Sequence, residues 1–380
     1  MLKSPLFRPI KISLAIIFVL FASIDAHADR LMGDVDNNGT VNISDVISLV
    51  NYVLTSVDDT AIPFPCAIND STIKVLSLGN SFAYYPTKYL SALADSAGIP
   101  SSSYRIRILY PQGRSLQQWA SAIEENTTVS LMTDIGRASI HGEPGVTIRN
   151  LLSNDWDIIV LQQNSNNASD YNTHEPYLSQ IIDAIHDYCP NPDVMIAWHM
   201  IWSKPGKNWY DIMAVSDSVL ENEYIDFVIP TGTAIENARH THIWSNIDGN
   251  LMHDNSGHLA PGVGQYVGAC AWFQTLLAPF FGVTVIGNSA VRTQEQVDSE
   301  WNALSNKLYP DSKIAVTEEN SLLCQRCAVT ACHNHQIITS NLDELVNINV
   351  ANSDMNQDHV ININDLISLL STKNCGRLIN

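Results

Sequence analysis

The stretch Ile73-Lys74-Val75-Leu76-Ser77-Leu78-Gly79-Asn80-Ser81-Phe82 decides the fold. A short, mostly apolar run stops at a glycine, and the amphipathic stretch from Tyr85 to Ala97 follows it closely. This is how a strand running into a helix reads in sequence. The pattern then repeats. Tyr104 to Tyr110 reads as a second strand, and Asp157 to Leu161 as a third, with a helix from about Glu175 to Asp187. Val194 to Trp198 and Phe227 to Ile229 are the next two strands, and Pro261 to Phe280 is a long closing helix. Repeated strand–helix units imply an α/β fold with a parallel sheet covered on both faces. In such sheets functional groups gather where strands end and helices begin.

Ser81 stands at one of those places. A serine between strand and helix has its hydroxyl at the carboxyl edge of the sheet and its N–H at a helix N-terminus, where developing negative charge is favoured. Alone, such a serine is equally a good helix cap. His258 shifts the balance. It lies late in the chain, in His253-Asp254-Asn255-Ser256-Gly257-His258-Leu259, just ahead of the closing helix. A hydroxyl needs a general base to become a nucleophile, and that base is usually oriented by a carboxylate.

With Ser early, and Asp and His a few residues apart late, the chain resembles the SGNH/GDSL hydrolase superfamily, in the branch with a Gly-Asn-Ser-Phe first block. Further motifs carry the resemblance: Val160-Leu161-Gln162-Gln163-Asn164-Ser165, Trp198-His199 with Trp202, Pro230-Thr231-Gly232-Thr233-Ala234-Ile235, and His258-Leu259 with Gly264-Gln265-Tyr266. They span about residues 72–285 of a domain taken as 72–310. The resemblance implies a flavodoxin-like three-layer hydrolase, with Ser81 as nucleophile and His258 as base. It implies an oxyanion hole built from the N–H groups of Ser81 and Gly113 and a side-chain amide. The superfamily takes that amide from a Gly-x-Asn-Asp block; here Gln163 is the first choice, with Gln162 and Asn164 behind it. The superfamily's Asp-x-x-His spacing would put Asn255 behind His258, so Asp254, one residue further back, is assigned the orienting role.

Two copies of a twelve-residue oxygen-donor pattern flank this body. Asp34, Asp36, Asn38, Thr40, Asn42 and Asp45 occupy loop positions 1, 3, 5, 7, 9 and 12 of the first copy. Asp354, Asn356, Asp358, Val360, Asn362 and Asp365 do so in the second. This is the spacing with which EF-hand-type loops wrap Ca²⁺, position 7 giving a backbone carbonyl. Each loop precedes an apolar helical stripe, and the pair resembles dockerin type I repeats, split here by about 300 residues. His359 stands where the turn prefers glycine. The resemblance implies a small α calcium-loop module formed from both termini, residues 29–58 and 347–380. It either pairs within the chain, clasping the hydrolase, or docks a cohesin-like partner.

Residues 1–28 read as a secretory signal, with Lys3, Arg8 and Lys11 ahead of an apolar run and Ala26-His27-Ala28 as the cleavage site. A net charge of −19 argues against nucleic acid or an anionic membrane surface as partner. Seven cysteines in an exported chain suggest disulfides. Cys66 and Cys375, each following a repeat, form the expected pair, and Cys270 reads as a buried thiol. Cys324, Cys327 and Cys332 with His333 and His335 have zinc-like spacing, but outside the cell a small disulfide knot over 320–346, recruiting Cys189, is favoured.

Trp198, His199 and Trp202 either line a sugar-binding cleft or pack. His240, His242, His253 and His258 suggest a metal cluster without a recognised ligand spacing. Glu236 and Arg239 read as a structural ion pair. The reading is a secreted serine esterase acting on O-acyl, preferably O-acetyl, esters of polysaccharide, with structural Ca²⁺ and no catalytic cofactor. The alternative is an inactive carbohydrate-binding or scaffold-docked module of the same fold.

Overall fold

The computed structural model describes residues 72–136, 145–339 and 342. The chain divides into two units, Met1–Ser56 with Asn347–Asn380, and Val57–Val346; every described residue belongs to the second. The secretory signal, both calcium loops, Cys66 and Cys375 lie outside the described residues.

In chain order the elements are β1 (Ile73–Leu78), α1 (Ser81–Thr87), α2 (Leu90–Ser96), β2 (Tyr104–Leu109), α3 (Leu116–Glu124), β3 (Met132–Asp134) and α4 (Ile148–Leu152). There follow β4 (Ile158–Leu161), α5 (Tyr177–Tyr188), β5 (Met195–His199), α6 (Trp209–Leu220), β6 (Phe227–Ile229), α7 (Thr231–Arg239) and α8 (Val263–Trp272). A π-turn (Phe273–Leu277) joins α8 to α9 (Ala278–Phe281), and α10 (Gln294–Asn302) and α11 (Glu318–His333) complete the unit. The six strands form one sheet in the order β3-β2-β1-β4-β5-β6. All pairs are parallel except β2–β3. The expected parallel sheet is present; the antiparallel edge strand β3, three residues long, went unread. It is locked to β2 by a buried two-pronged ion pair, Arg107 to Asp134, at 2.6 and 2.7 Å.

The strands are buried on both faces. Leu76, Leu78, Ile159, Leu161, Ile196 and Trp198 point one way and share a core with apolar residues of α3 to α6, among them Trp119, Leu151, Ile181 and Trp209. Alternation sends the intervening side chains to the other face. There His199 meets Thr231 of α7 and Trp272 of α8. Helix α1 crosses α8 closely because Gly268 leaves room for Pro86: a Cβ at Gly268 would lie 2.6 Å from the proline's Cβ.

Register aligns the carboxyl ends of four strands. Leu109, Leu78, Leu161 and Trp198 pair across the sheet in one row. The residues beyond that row (Gly79, Gln162, His199) therefore stand side by side under the site. The connections reverse direction at β1, which has β2 on one side and β4 on the other. Crevices open at such switch points.

The segment read as a disulfide knot is instead helix α11, packed on α7 and α8. Cys324 and Cys327, three apart, fall on one buried helical face because that spacing is nearly one turn. Cys189, Cys270, Cys324 and Cys332 are thiols, as was expected of Cys270 alone. Burial pushes the Cys324 thiol well above the ordinary range, and that of Cys332 up to about 12, which leaves both inert as nucleophiles.

Candidate active site

The turn from β1 to α1 is built so that Ser81 has little choice of position. Gly79 continues the sheet by donating its N–H to the Leu109 carbonyl at 3.1 Å, and its own carbonyl accepts from the Trp119 indole at 3.1 Å. A Cβ there would lie 2.5 Å from that of Ala83, so only glycine fits. Asn80, fully buried, caps α1: its Oδ1 accepts from the Phe82 N–H at 2.9 Å, and its Nδ2 donates to the Arg114 carbonyl at 3.0 Å. Ser81 is the first residue of the helix. Among the described residues, no acceptor meets the N–H of Ser81 or that of Gly113.

A buried chain of hydrogen bonds supports Asn80 from below. The Gln162 amide donates to Asn80 Oδ1 at 2.8 Å, and Gln162 Oε1 lies 2.8 Å from His199 Nδ1. His199 Nε2 faces the Trp272 indole N–H at 3.3 Å and the Thr231 hydroxyl at 2.9 Å. An indole nitrogen only donates, so Nε2 accepts and the proton sits on Nδ1. Complete burial lowers the His199 pKa to about 3, which keeps the ring neutral and the chain polarised in one direction.

His258 completes the centre. Its Nε2 lies 2.8 Å from Ser81 Oγ and its Nδ1 lies 2.8 Å from Asp254 Oδ2. Asp254 Oδ1 also accepts the His258 backbone N–H at 3.1 Å, so one carboxylate fixes both ring and main chain. Asn255 is turned away, its Oδ1 accepting from the Tyr309 hydroxyl. The extra residue between acid and base is absorbed by a tight loop: His253 N–H donates to the His258 carbonyl at 2.8 Å, and Gly257 N–H to that of Asp254 at 3.2 Å. Gly257 has φ +89°, and a Cβ on it would meet Lys204 Cβ at 2.5 Å. Its carbonyl accepts from the Trp202 indole at 2.7 Å, and Trp202 stacks on Phe82 with centroids 4.4 Å apart. The segments that carry Ser81 and His258 are thus bolted through one tryptophan.

Rings surround His258. Tyr85 lies 4.8 Å from His258 and His253 stacks on it at 5.6 Å. Burial, then the Asp254 charge, pushes the Tyr85 hydroxyl up to about 12, so it stays neutral. Burial is also the main cause that lowers His253, whose Nδ1 lies 2.7 Å from the Asn306 carbonyl. Burial would raise the Asp254 carboxyl, but the hydrogen bonds and charge of His258 outweigh it and hold it below the usual range.

The amides of Gln162, Gln163 and Asn164 sort themselves differently from expectation. Gln163 is not free for an oxyanion: its Oε1 accepts from the N–H groups of Leu116 and Asn164 at 3.1 and 2.9 Å, and its Nε2 donates to the Thr173 carbonyl at 2.9 Å. Gln162 is spent on Asn80 and His199. Asn164 carries its amide to the Gly113 loop, donating to the Gly113 carbonyl at 2.9 Å, with a second N–H to spare. It is the amide best placed to replace Gln163 beside the Gly113 N–H.

Trp198, His199 and Trp202 are all buried and serve packing and support rather than an open cleft. Glu236 and Arg239 form the expected structural pair at 2.6 Å, within α7 and held also to Ser203. Among the described residues His253, Asp254 and His258 are the group whose ligand atoms could share a metal, lying within 4.8 Å of one another. Both ring nitrogens of His258 already serve Ser81 and Asp254, so a metal would compete with that arrangement. His240 is elsewhere, its Nδ1 on the Glu236 carbonyl at 2.8 Å.

Residues 74–307 match the model of DUF4886, a domain of unknown function. The match covers more than half of the chain, which therefore belongs to this family. The fold is similar to the crystal structure of a DUF4886 family protein from Bacteroides uniformis, with a TM-score of 0.55 and 22% identity over 72% of this chain and 99% of that one. Comparison with curated proteins finds no match.

Proposed function

We propose that this member of the DUF4886 family is a secreted serine esterase of SGNH type that removes O-acyl groups, O-acetyl above all, from polysaccharide. The observation that carries the reading is the unbroken line Ser81 Oγ–His258 Nε2 and His258 Nδ1–Asp254 Oδ2, each 2.8 Å long. Asn80 already caps the helix, so a histidine 2.8 Å from the Ser81 hydroxyl has no capping purpose to serve. With β3 set aside, the strand order is the doubly wound order of flavodoxin-like sheets, and Ser81 follows the strand at the switch point.

In this mechanism Ser81 Oγ attacks the ester carbonyl carbon while His258 Nε2 takes the hydroxyl proton. Asp254 holds the Nδ1–H tautomer and balances the imidazolium. The oxyanion of the tetrahedral intermediate is received by the N–H groups of Ser81 and Gly113, with Asn164 contributing its amide. Collapse expels the sugar hydroxyl, which takes the proton from His258. Water, activated by the same base, then releases the acid and restores Ser81. Tyr84, one turn along α1, stacks on Tyr110 at 4.5 Å and offers an aromatic shoulder for a sugar ring.

The flanking repeats belong to the proposal as structural Ca²⁺ sites, bound by the loops Asp34 to Asp45 and Asp354 to Asp365, which pair with each other or dock a cohesin-like partner. The test of the esterase reading is hydrolysis of p-nitrophenyl acetate by the wild type and Ser81→Ala. Activity that disappears with Ser81 supports it. A wild type no faster than the variant, and not labelled by a serine-directed phosphonate, would leave only a carbohydrate-binding role.

A further inference from the structure

The chain carries 20 Lys and Arg against 39 Asp and Glu, yet Lys204, Lys207 and Arg114, on loops that adjoin the site, have no acid as a partner among the described residues. Lys88, in contrast, feels the charge of Glu300. Lys204, in the loop after β5, packs against Gly257, one residue from the base: a Cβ built on Gly257 would lie 2.5 Å from Lys204 Cβ and 3.2 Å from Phe82 Cζ. Its ammonium donates to Asn166 Oδ1. Lys207 donates to the Ser169 hydroxyl at 3.3 Å. Arg114 directly follows Gly113; its guanidinium lies 4.7 Å over the Trp119 ring, and its buried Nη1 has no acceptor.

The carboxylates nearby are already committed. Asp254 serves His258, Glu236 lies 2.6 Å from Arg239, and Asp170 caps its own turn through the Asn172 N–H at 3.1 Å. Among the described residues no salt bridge includes Lys204, Lys207 or Arg114. The lysines are held by neutral oxygens that leave ammonium protons to spare. Burial, then the charge of Lys207, lowers the Lys204 pKa, so the two ammonium groups repel each other with no anion to relieve them. An acidic protein that keeps unneutralised cations on the loops next to its site has a local field opposite to its overall one.

We propose that the ester taken by this site carries a carboxylate close to the scissile bond, received by Lys204, Lys207 and Arg114. The inference rests on the esterase reading above and names its substrate class. The carboxylate has two chemical sources: a uronic acid of the polysaccharide, or a dicarboxylic acyl group such as succinyl on a neutral sugar.

Three polymers separate the sources: O-acetylated polygalacturonate, succinylated xylan and O-acetylated xylan, with released acid measured for each. At least one anionic polymer should exceed acetylated xylan in kcat/KM by about fivefold or more, the scale of one or two solvated ion pairs. Preference for the first assigns the charge to the sugar, and preference for the second to the acyl group. Lys204→Gln/Lys207→Gln should erase the preference, Arg114→Gln should reduce it, and Lys204→Arg/Lys207→Arg should keep it. Equal rates on all three polymers, or a preference that survives the double glutamine variant, would overturn the proposal. Failure on every polymer and on p-nitrophenyl acetate would remove the esterase reading instead, and this inference with it.

Discussion

Asp254 grips His258 at two points, the ring at 2.8 Å and the backbone N–H at 3.1 Å, across a loop one residue longer than an Asp-x-x-His spacing. The bidentate hold explains how the longer loop keeps the base in place. Asp254→Asn can place an NH₂ donor where the Nδ1–H needs an acceptor, which favours the wrong tautomer, and it removes the charge that balances the imidazolium. Its kcat on p-nitrophenyl acetate should fall by about a thousandfold or more, whereas Asn255→Ala should stay within about threefold, since Asn255 faces Tyr309.

Asn164 and Gln163 give opposite outcomes in the same assay. Asn164→Ala should lower kcat by about 100- to 1000-fold, as for loss of one oxyanion donor, with a smaller loss of Tm from its bonds to Gly113 and Asn167. Gln163→Ala strands the Leu116 and Asn164 N–H groups and should cost about 1–3 kcal/mol of stability in urea unfolding. A large kcat loss for Gln163→Ala without destabilisation would return the donor role to it.

Acid should destabilise the protein through His199. The unfolded chain protonates this residue near pH 6.5, and the folded one only near 3. Between those values the unfolded state binds the extra proton, so stability rises with pH there, by at most about 1.4 kcal/mol per unit. His199→Asn should be less stable than wild type at pH 7 and show a shallower loss between pH 6 and 4 in thermal melts. An unchanged slope would mean His199 is not buried neutral.

Gly79→Ala should be among the most damaging single-methyl changes in the molecule. The new Cβ would press on Ala83 and crowd the turn that presents Ser81. About 2–3 kcal/mol of destabilisation is expected, with a matching fall in Tm.

Calcium is checked by chelation. Ca²⁺ added to a chelated sample should raise Tm, by mass action on the folded loops. Asp34→Ala/Asp354→Ala should abolish the rise.

Much of this was legible from residue type and order. The apolar run into Gly79 placed Ser81, and the late His258 supplied its hydrogen-bond partner, because strand ends and helix starts leave strong local signals. The amides misled for a reason the strand itself gives. Neighbours on a strand face opposite ways, so Gln162 turns towards His199 and Asn80 while Gln163 turns towards Leu116 and Thr173. Asn164, the first residue free of that alternation, reaches Gly113. Helix α7 hid because it is buried on every side, including Thr231, Thr233 and Asn237, and so shows no polar stripe. The Cys324–Cys327 spacing reads the same for a helix face as for a crosslink, and only the packing of α11 separates them.

Helix α11 has no part in the chemistry, yet it cannot be treated as a tail. Asn237 Nδ2 donates to its Cys327 carbonyl at 3.0 Å, Asn237 Oδ1 accepts from the Thr339 N–H at 2.7 Å, and Thr233 donates to the His335 carbonyl at 2.6 Å. A fragment ending at residue 307, where the family match stops, would contain Ser81, Asp254 and His258 in full. It would also lay bare the apolar flanks of α7 and α8 and leave the Asn237 amide without partners, beside the strand that carries His199. The portable unit of this domain is therefore longer than its recognisable motif, and anyone dissecting it for expression should cut beyond residue 339.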